Sequence, residues 1–99
     1  MEIALRMEIG ARRGEAADYG TLGTVFEALS GYDKAKEYIE KALAIRIEIG
    51  DKQGEAEDYA NLRIVFRSLG KYAKATEYIE RALAINKEIG MKKAVVIET

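Results

Sequence analysis

Residues 14–50 read GEAADYGTLGTVFEALSGYDKAKEYIEKALAIRIEIG, and most of this stretch returns at residues 54–90. With an offset of forty positions, 23 of the 40 residues in 11–50 are identical in 51–90. Residues 1–10 match 41–50 at the same offset, so the chain is expected to begin inside the second helix of an earlier repeat. Self-similarity at a fixed period of this length is typical of repeat architectures.

Each copy contains two helical patterns separated by a short turn. The first has apolar residues three or four positions apart, which places them on one face of an α-helix: Tyr19, Leu22, Phe26 and Leu29. The second has apolar and small residues with similar spacing: Ala35, Ile39, Ala42 and Ile49. Turns that contain glycine, at 30–31 and 70–71, suit an antiparallel helix pair. Between repeats, Gly50 can end a helix in the left-handed conformation and Asp51 can cap the next one.

The order of these residues resembles the tetratricopeptide repeat. The motif of that family is matched by Tyr19-x-x-Leu22-Gly23-x-x-Phe26, Ala35-x-x-x-Ile39 and Ala42, and again by Tyr59-x-x-Leu62-Arg63-x-x-Phe66, Ala75-x-x-x-Ile79 and Ala82. The resemblance implies an all-α fold, an α-solenoid of antiparallel helix pairs with about two full repeats and flanking half repeats. The repeat is longer than the usual one, and its forty-residue form is similar to the repeats of Pins-type scaffolds, which bind extended peptides.

The expected layout is a single domain over 1–99. It comprises a partial second helix at 1–10, repeat one at 14–50, repeat two at 54–90, and a partial first helix or tail at 91–99. Two features depart from the family pattern. Arg63 stands where Gly23 and the family have a small residue, so either Arg63 reaches solvent or the helix pair opens, and Arg63→Gly is expected to raise thermal stability. Ala11 and Met91 replace Asp51 at the other joints, which weakens the helix-start signal there.

Composition excludes several classes of function. The chain has no Cys and no His, which removes thiol chemistry, the usual zinc ligands and the commonest proton shuttle. Its 16 basic and 17 acidic residues alternate along the helices, so we expect no nucleic-acid binding. No apolar run is long enough for a membrane span, and the start of the chain is not a signal peptide. We therefore expect a cytoplasmic protein that is not an enzyme, with no catalytic residues, cofactor or metal.

The resemblance also implies a binding surface, because the first helices of this family line a concave face that holds partner peptides. The family pattern assigns that face to Ala17, Gly20, Thr24 and Glu27 in repeat one, and to Glu57, Ala60, Ile64 and Arg67 in repeat two. Asn61 matches an asparagine with which these repeats hold peptide backbone. The candidate peptide-binding residues are Thr24, Glu27, Glu57, Asn61, Ile64 and Arg67. No clamp for a terminal carboxylate is expected, because Gly20, Ala60, Thr24 and Ile64 occupy its positions.

Two functions remain open at this point. One is a protein-interaction module that binds an apolar or mixed-charge peptide on the concave face. The alternative is a structural or engineered repeat fragment that self-associates, by domain swap or head to tail, without a specific ligand; the groove residues would then be ordinary surface. Self-association is expected because half repeats expose Ile3, Leu5 and Met7 at one end and Val95, Val96 and Ile97 at the other. The recurring tyrosines, in either case, are expected to serve packing.

Overall fold

The computed structural model describes the backbone of residues 2–98 and the side chains of residues 2–91. Four α-helices follow one another: α1 (Glu2–Ala28), α2 (Tyr32–Glu48), α3 (Lys52–Ser68) and α4 (Tyr72–Glu98). α1 packs against α2 and α3 against α4, while α2 packs against α3 and joins the two pairs. Between residues 2 and 98 there is no strand. The predicted all-α solenoid of antiparallel helix pairs is confirmed.

The turns between the helices contain the left-handed glycine and the capping aspartate that the sequence predicts. Gly50 and Gly70 both adopt the left-handed backbone conformation, with φ of 71° and 76°. The Asp51 side chain accepts a hydrogen bond of 3.0 Å from the backbone N–H of Gly54, which caps the start of α3. Ser30 stands at the position of Gly70 and is also left-handed, with φ of 62°. A residue with a side chain adopts this conformation less readily than glycine.

The two outer helices are longer than the repeat pattern predicts, at 27 residues each. Residues 2–10 are not a separate helix but continue in line through Gly10 and Gly14 into the first helix of repeat one. Ala11 stands where Asp51 caps α3, and it has no side-chain oxygen with which to cap a new helix. An interior glycine costs a helix only about 1 kcal/mol, so the helix continues. Likewise α4 runs on through Gly90; Val95, Val96 and Ile97 lie outside the described side chains.

Two stacks of three aromatic rings fill the spaces inside the helix pairs. In the first pair the Tyr38 ring lies 6.1 Å from Tyr19 and 5.5 Å from Phe26, centroid to centroid. The second pair repeats this with Tyr78 between Tyr59 and Phe66, at 5.7 and 5.4 Å. Small residues beside the rings are fully or almost fully buried: Ala16, Ala35, Ala42, Ala75 and Ala82. Packing therefore accounts for these four tyrosines and for the partly buried Tyr32, but Tyr72 is exposed.

The family position occupied by Gly23 shows why a small residue is needed there. Gly23 is buried, and a methyl group on it would lie 2.5 Å from Cγ1 of Ile39. Ile39 is consequently packed against the backbone of α1 and is fully buried. In the second pair Arg63 takes this place and is half-buried, while Ile79, the counterpart of Ile39, is 38 % exposed. Arg63 and Ile79 line one depression between α3 and α4.

The Arg63 side chain is poorly satisfied in this position. Its Nε is buried, and none of the described residues accepts a hydrogen bond from it. A buried polar group without a partner costs about 1–3 kcal/mol. Arg63→Ala removes that group and avoids the helix cost of glycine, so we expect the free energy of unfolding to rise by about 1 kcal/mol in urea denaturation. Arg67→Ala, an exposed arginine one turn further along α3, is the matched control and should change stability little.

Candidate functional site

A groove of about 220 Å³ lies between α1 and α3. Small residues of α1 form one wall, and polar residues of α3 form the other, with one side chain of α2 below them. The lining residues are Ala17, Gly20, Thr21, Thr24, Arg46, Glu57, Asp58 and Asn61. Alanine and glycine leave space on the α1 side of the groove.

The polar side chains of the groove differ in whether they already form hydrogen bonds within the protein. The hydroxyl of Thr21 donates to the carbonyl oxygen of Ala17 at 3.0 Å, and that of Thr24 donates to the carbonyl of Thr21 at 2.8 Å. Both threonines therefore retain only acceptor capacity towards a ligand. The Asn61 side chain is half-exposed, and no described residue hydrogen-bonds to it. Its amide can both donate to and accept from a peptide backbone.

Arg46 joins the floor of the groove to the joint between the repeats. Its Nη1 donates to Oδ2 of Asp51 at 2.9 Å, and its Nε lies 3.2 Å from Oδ2 of Asp58. The second contact is an ion pair whose angle does not fit a hydrogen bond. The remaining nitrogen, Nη2, faces Gly20 across the groove, 4.0 Å from where a methyl group on that glycine would lie. That nitrogen is the donor that Arg46 offers to a ligand.

The two carboxylates around Arg46 have opposite pKa shifts. Burial raises the pKa of Asp58 to about 6 in spite of the attraction of Arg46, because only 2 % of the residue is exposed. The backbone N–H of Gly54, with Arg46 as a further cause, lowers the pKa of Asp51. Asp58 therefore takes up a proton more readily than Asp51 does.

The structure brings together only half of the six candidate peptide-binding residues. Thr24, Glu57 and Asn61 line the groove, as do Ala17, Gly20 and Thr21. Arg67 lies outside it, in the depression that also contains Arg63. Glu27 and Ile64 are half-buried and line neither cavity. The binding role of all six residues stays a prediction.

Arg46 and Asp58 were missed as groove residues by the sequence analysis. The family pattern assigns the surface to first helices, whereas Arg46 belongs to a second helix and reaches the groove from below. One signal could have indicated the pair, since Asp58 repeats Asp18 in register and Arg46 repeats Arg6. Charged residues that recur at fixed repeat positions indicate a shared contact.

Within residues 2–91, no group of three or more His, Cys, Asp or Glu side chains is placed to hold a metal ion. No helix in that part of the chain combines the length and the apolar character needed to cross a membrane.

Comparison with known proteins assigns the family. A search of curated proteins returned no match. The family model described as Tetratricopeptide repeat matches residues 4–88, which is most of the chain and includes all of α2 and α3. The match agrees with the paired helices, with the aromatic stacks and with the small residue at Gly23. This chain belongs to the tetratricopeptide repeat family.

Proposed function

We propose that this protein is an interaction module that binds an extended peptide in the groove between α1 and α3. Repeats of this family generally mediate interactions between proteins. The observation that carries the proposal is the pairing of a wall of small residues, Ala17 and Gly20, with the unengaged amide of Asn61 opposite. A peptide backbone can approach the first closely and hydrogen-bond to the second.

The charges of the groove favour an apolar or mixed-charge peptide. Arg46 is neutralised in part by Asp51 and Asp58, which leaves Nη2 to donate to a carbonyl oxygen. Glu57 is exposed at the edge, where it can pair with a basic side chain of the ligand. The proposed similarity to Pins-type scaffolds, with their forty-residue repeats, is consistent with an extended ligand of this kind.

Selection from a random peptide library on the immobilised protein tests the proposal. We expect related sequences to be enriched, and Asn61→Ala to weaken the selected peptide about tenfold, through loss of roughly one good hydrogen bond. Ala17→Arg, which fills the groove, should abolish binding. Asn86→Ala removes the same amide from an exposed position on α4 and should leave affinity unchanged. If no sequence is enriched, or if Asn61→Ala and Ala17→Arg bind as tightly as the unchanged chain, the groove is not a peptide site.

A self-associating repeat fragment is the second candidate function, as a domain swap or a head-to-tail assembly. One observation favours it: large apolar residues on α1 are exposed, which folded proteins usually avoid unless the surface is covered by a partner. They are Ile3, Leu5, Met7, Ile9, Leu22 and Val25, and the exposed Leu29 follows directly after the helix.

A further inference from the structure

α1 and α3 carry the same face, but only α3 has it covered. The residues of this face on α1, called here the open face, are identical to their counterparts forty positions later: Glu15, Asp18, Leu22 and Val25 repeat as Glu55, Asp58, Leu62 and Val65. Leu62 and Val65 are fully buried, whereas Leu22 is 41 % exposed and Val25 is 47 % exposed.

The difference comes from the helix that precedes each face. Both segments have a hairpin partner, since α2 packs on α1 and α4 packs on α3. α3 is also packed against α2 on its other side, and none of the four described helices lies in the corresponding place on α1. The open face is therefore a docking surface whose occupant is shown once within the molecule, by α2 on α3.

The chain contains a second segment like the one that covers α3. Residues 2–10 repeat residues 42–50, which are the end of α2 and the turn after it, with identical residues at five of nine positions: Ala4, Arg6, Glu8, Ile9 and Gly10. Leu5 takes the place of the buried Ile45. Yet residues 2–10 are all exposed, because α1 continues straight through Gly10 instead of turning back at that residue.

Charge complementarity points to what this segment binds. In the covered interface Arg46 lies against Asp58 and passes so close over Gly54 that a methyl group there would collide with its side chain. The same three residues recur as Arg6, Asp18 and Gly14. Arg6 and Asp18 are separated by twelve positions of one continuous helix, or about 18 Å along its axis, so they cannot meet within this helix. A methyl group on Gly14 would meet nothing within 4 Å.

We propose that residues 2–10 of one chain cover the part of the open face from Glu15 to Leu22 on a second copy, while residues 2–10 of that copy cover the same part of the first chain. The result is a two-fold symmetric dimer that exchanges N-terminal segments. Arg6 of each chain then lies against Asp18 of the other, over its Gly14, as Arg46 lies against Asp58 over Gly54. This arrangement gives a structural form to the second candidate function and rests on it.

The register of the covered interface fixes how the two helices would lie. Position 46 faces position 58, so position 6 faces position 18, and the two-fold axis passes near residue 12. Arg12 would be close to its own copy there, but its charge is already paired with Glu15 and Glu48, each at 2.8 Å. One antiparallel pairing of the two α1 helices covers Leu5, Ile9 and Leu22 together, which an unrelated partner would have to cover as separate patches.

Complementary charge reversal tests the dimer, with molar mass measured by sedimentation equilibrium. We expect the unchanged chain to be a dimer, and Arg6→Asp and Asp18→Arg each to weaken it by at least about 100-fold, because each variant places like charges at both contacts. An equimolar mixture of the two variants should recover the dimer. In that heterodimer both contacts pair an acid with a base, a result that closure within one chain cannot give.

Controls separate this arrangement from other effects. Lys87→Asp and Glu40→Arg reverse equivalent charges at exposed positions, and neither they nor their mixture should change the mass. Gly14→Ala should weaken the dimer without loss of helix content by circular dichroism, since only the arginine of a second chain would meet the added methyl group. Asn61→Ala should leave the mass unchanged, so failure of peptide binding is seen separately. A monomer at all concentrations, or a mixture that stays monomeric while both variants are folded, overturns the proposal.

Discussion

Replacing Arg46 with methionine should lower the free energy of unfolding at pH 7 by about 2–4 kcal/mol. Methionine keeps the apolar stem but removes the cation that lies between Asp51 and Asp58. Loss of one partner of a buried ion pair typically costs about 3–5 kcal/mol, because the other charge stays buried without compensation. Here the cost is somewhat smaller, since Asp58 can take up a proton. Urea denaturation followed by circular dichroism measures the change.

The pH dependence identifies the part of the loss that comes from Asp58. An acid whose pKa is raised by folding contributes stability that is complete below its unfolded value of 3.8 and is lost as the pH rises through about 6. Without Arg46 the folded pKa of Asp58 rises further, so the variant goes on losing stability above pH 6 where the unchanged chain no longer does. We therefore expect the two stability curves to run parallel between pH 4 and 6, separated by the loss of the contact between Arg46 and Asp51. Above pH 6 they should diverge by up to about 1.4 kcal/mol per pH unit.

A second substitution separates the buried charge from the lost packing. Arg46→Met combined with Asp58→Asn removes both charges, so it should recover about half of the lost stability and show no divergence from the unchanged chain above pH 6. Arg67→Met changes an exposed arginine of α3 and should have little effect. Equal stability of Arg46→Met and the unchanged chain at pH 8 would mean that water already compensates Asp58, contrary to its burial.

The elements that the sequence predicted well depend on local chemistry. The left-handed turn at Gly50 and the cap at Asp51 need only the residues that form them, so their positions followed directly from residue type. The paired helices were predicted from the spacing of apolar residues. The family motif requires a small residue at position 23, and the structure shows the reason, because Ile39 packs against Gly23. In each case one or two neighbouring residues determine the structure.

The features that the sequence predicted poorly depend on several residues at once or on side chains from different helices. Gly10 and Gly14 stand at the positions of Gly50 and Gly54, where one helix ends and the next begins. Without an aspartate at position 11 to cap a new helix, α1 continues through both glycines. The groove was predicted along first helices, yet Arg46 enters from α2, and Arg67 falls in a separate depression. The repeat pattern predicts which residues share a face of each helix. It does not predict where a long helix ends, or that a side chain of a neighbouring helix extends into the groove.

Gly23→Ala should lower the free energy of unfolding by about 1–3 kcal/mol, although alanine is the better helix former. The added methyl group would lie 2.5 Å from Cγ1 of Ile39 and 3.4 Å from the carbonyl oxygen of Ala35, so α1 and α2 must move apart. Ile39 is fully buried and cannot swing aside without opening the core. Thermal and urea denaturation both report the loss.

Gly20→Ala, one turn earlier in the same helix, is the matched control. Its methyl group would approach only the end of the Arg46 side chain, at 4.0 Å. The gain in helix propensity should therefore raise the free energy of unfolding by about 0.5–1 kcal/mol. Opposite signs for the same chemical change in one helix would show that close approach of α1 and α2 at Gly23, rather than glycine itself, stabilises the first helix pair. If both variants gain stability, Ile39 has room to yield, and Arg63 at the same place in the second pair is then no source of strain.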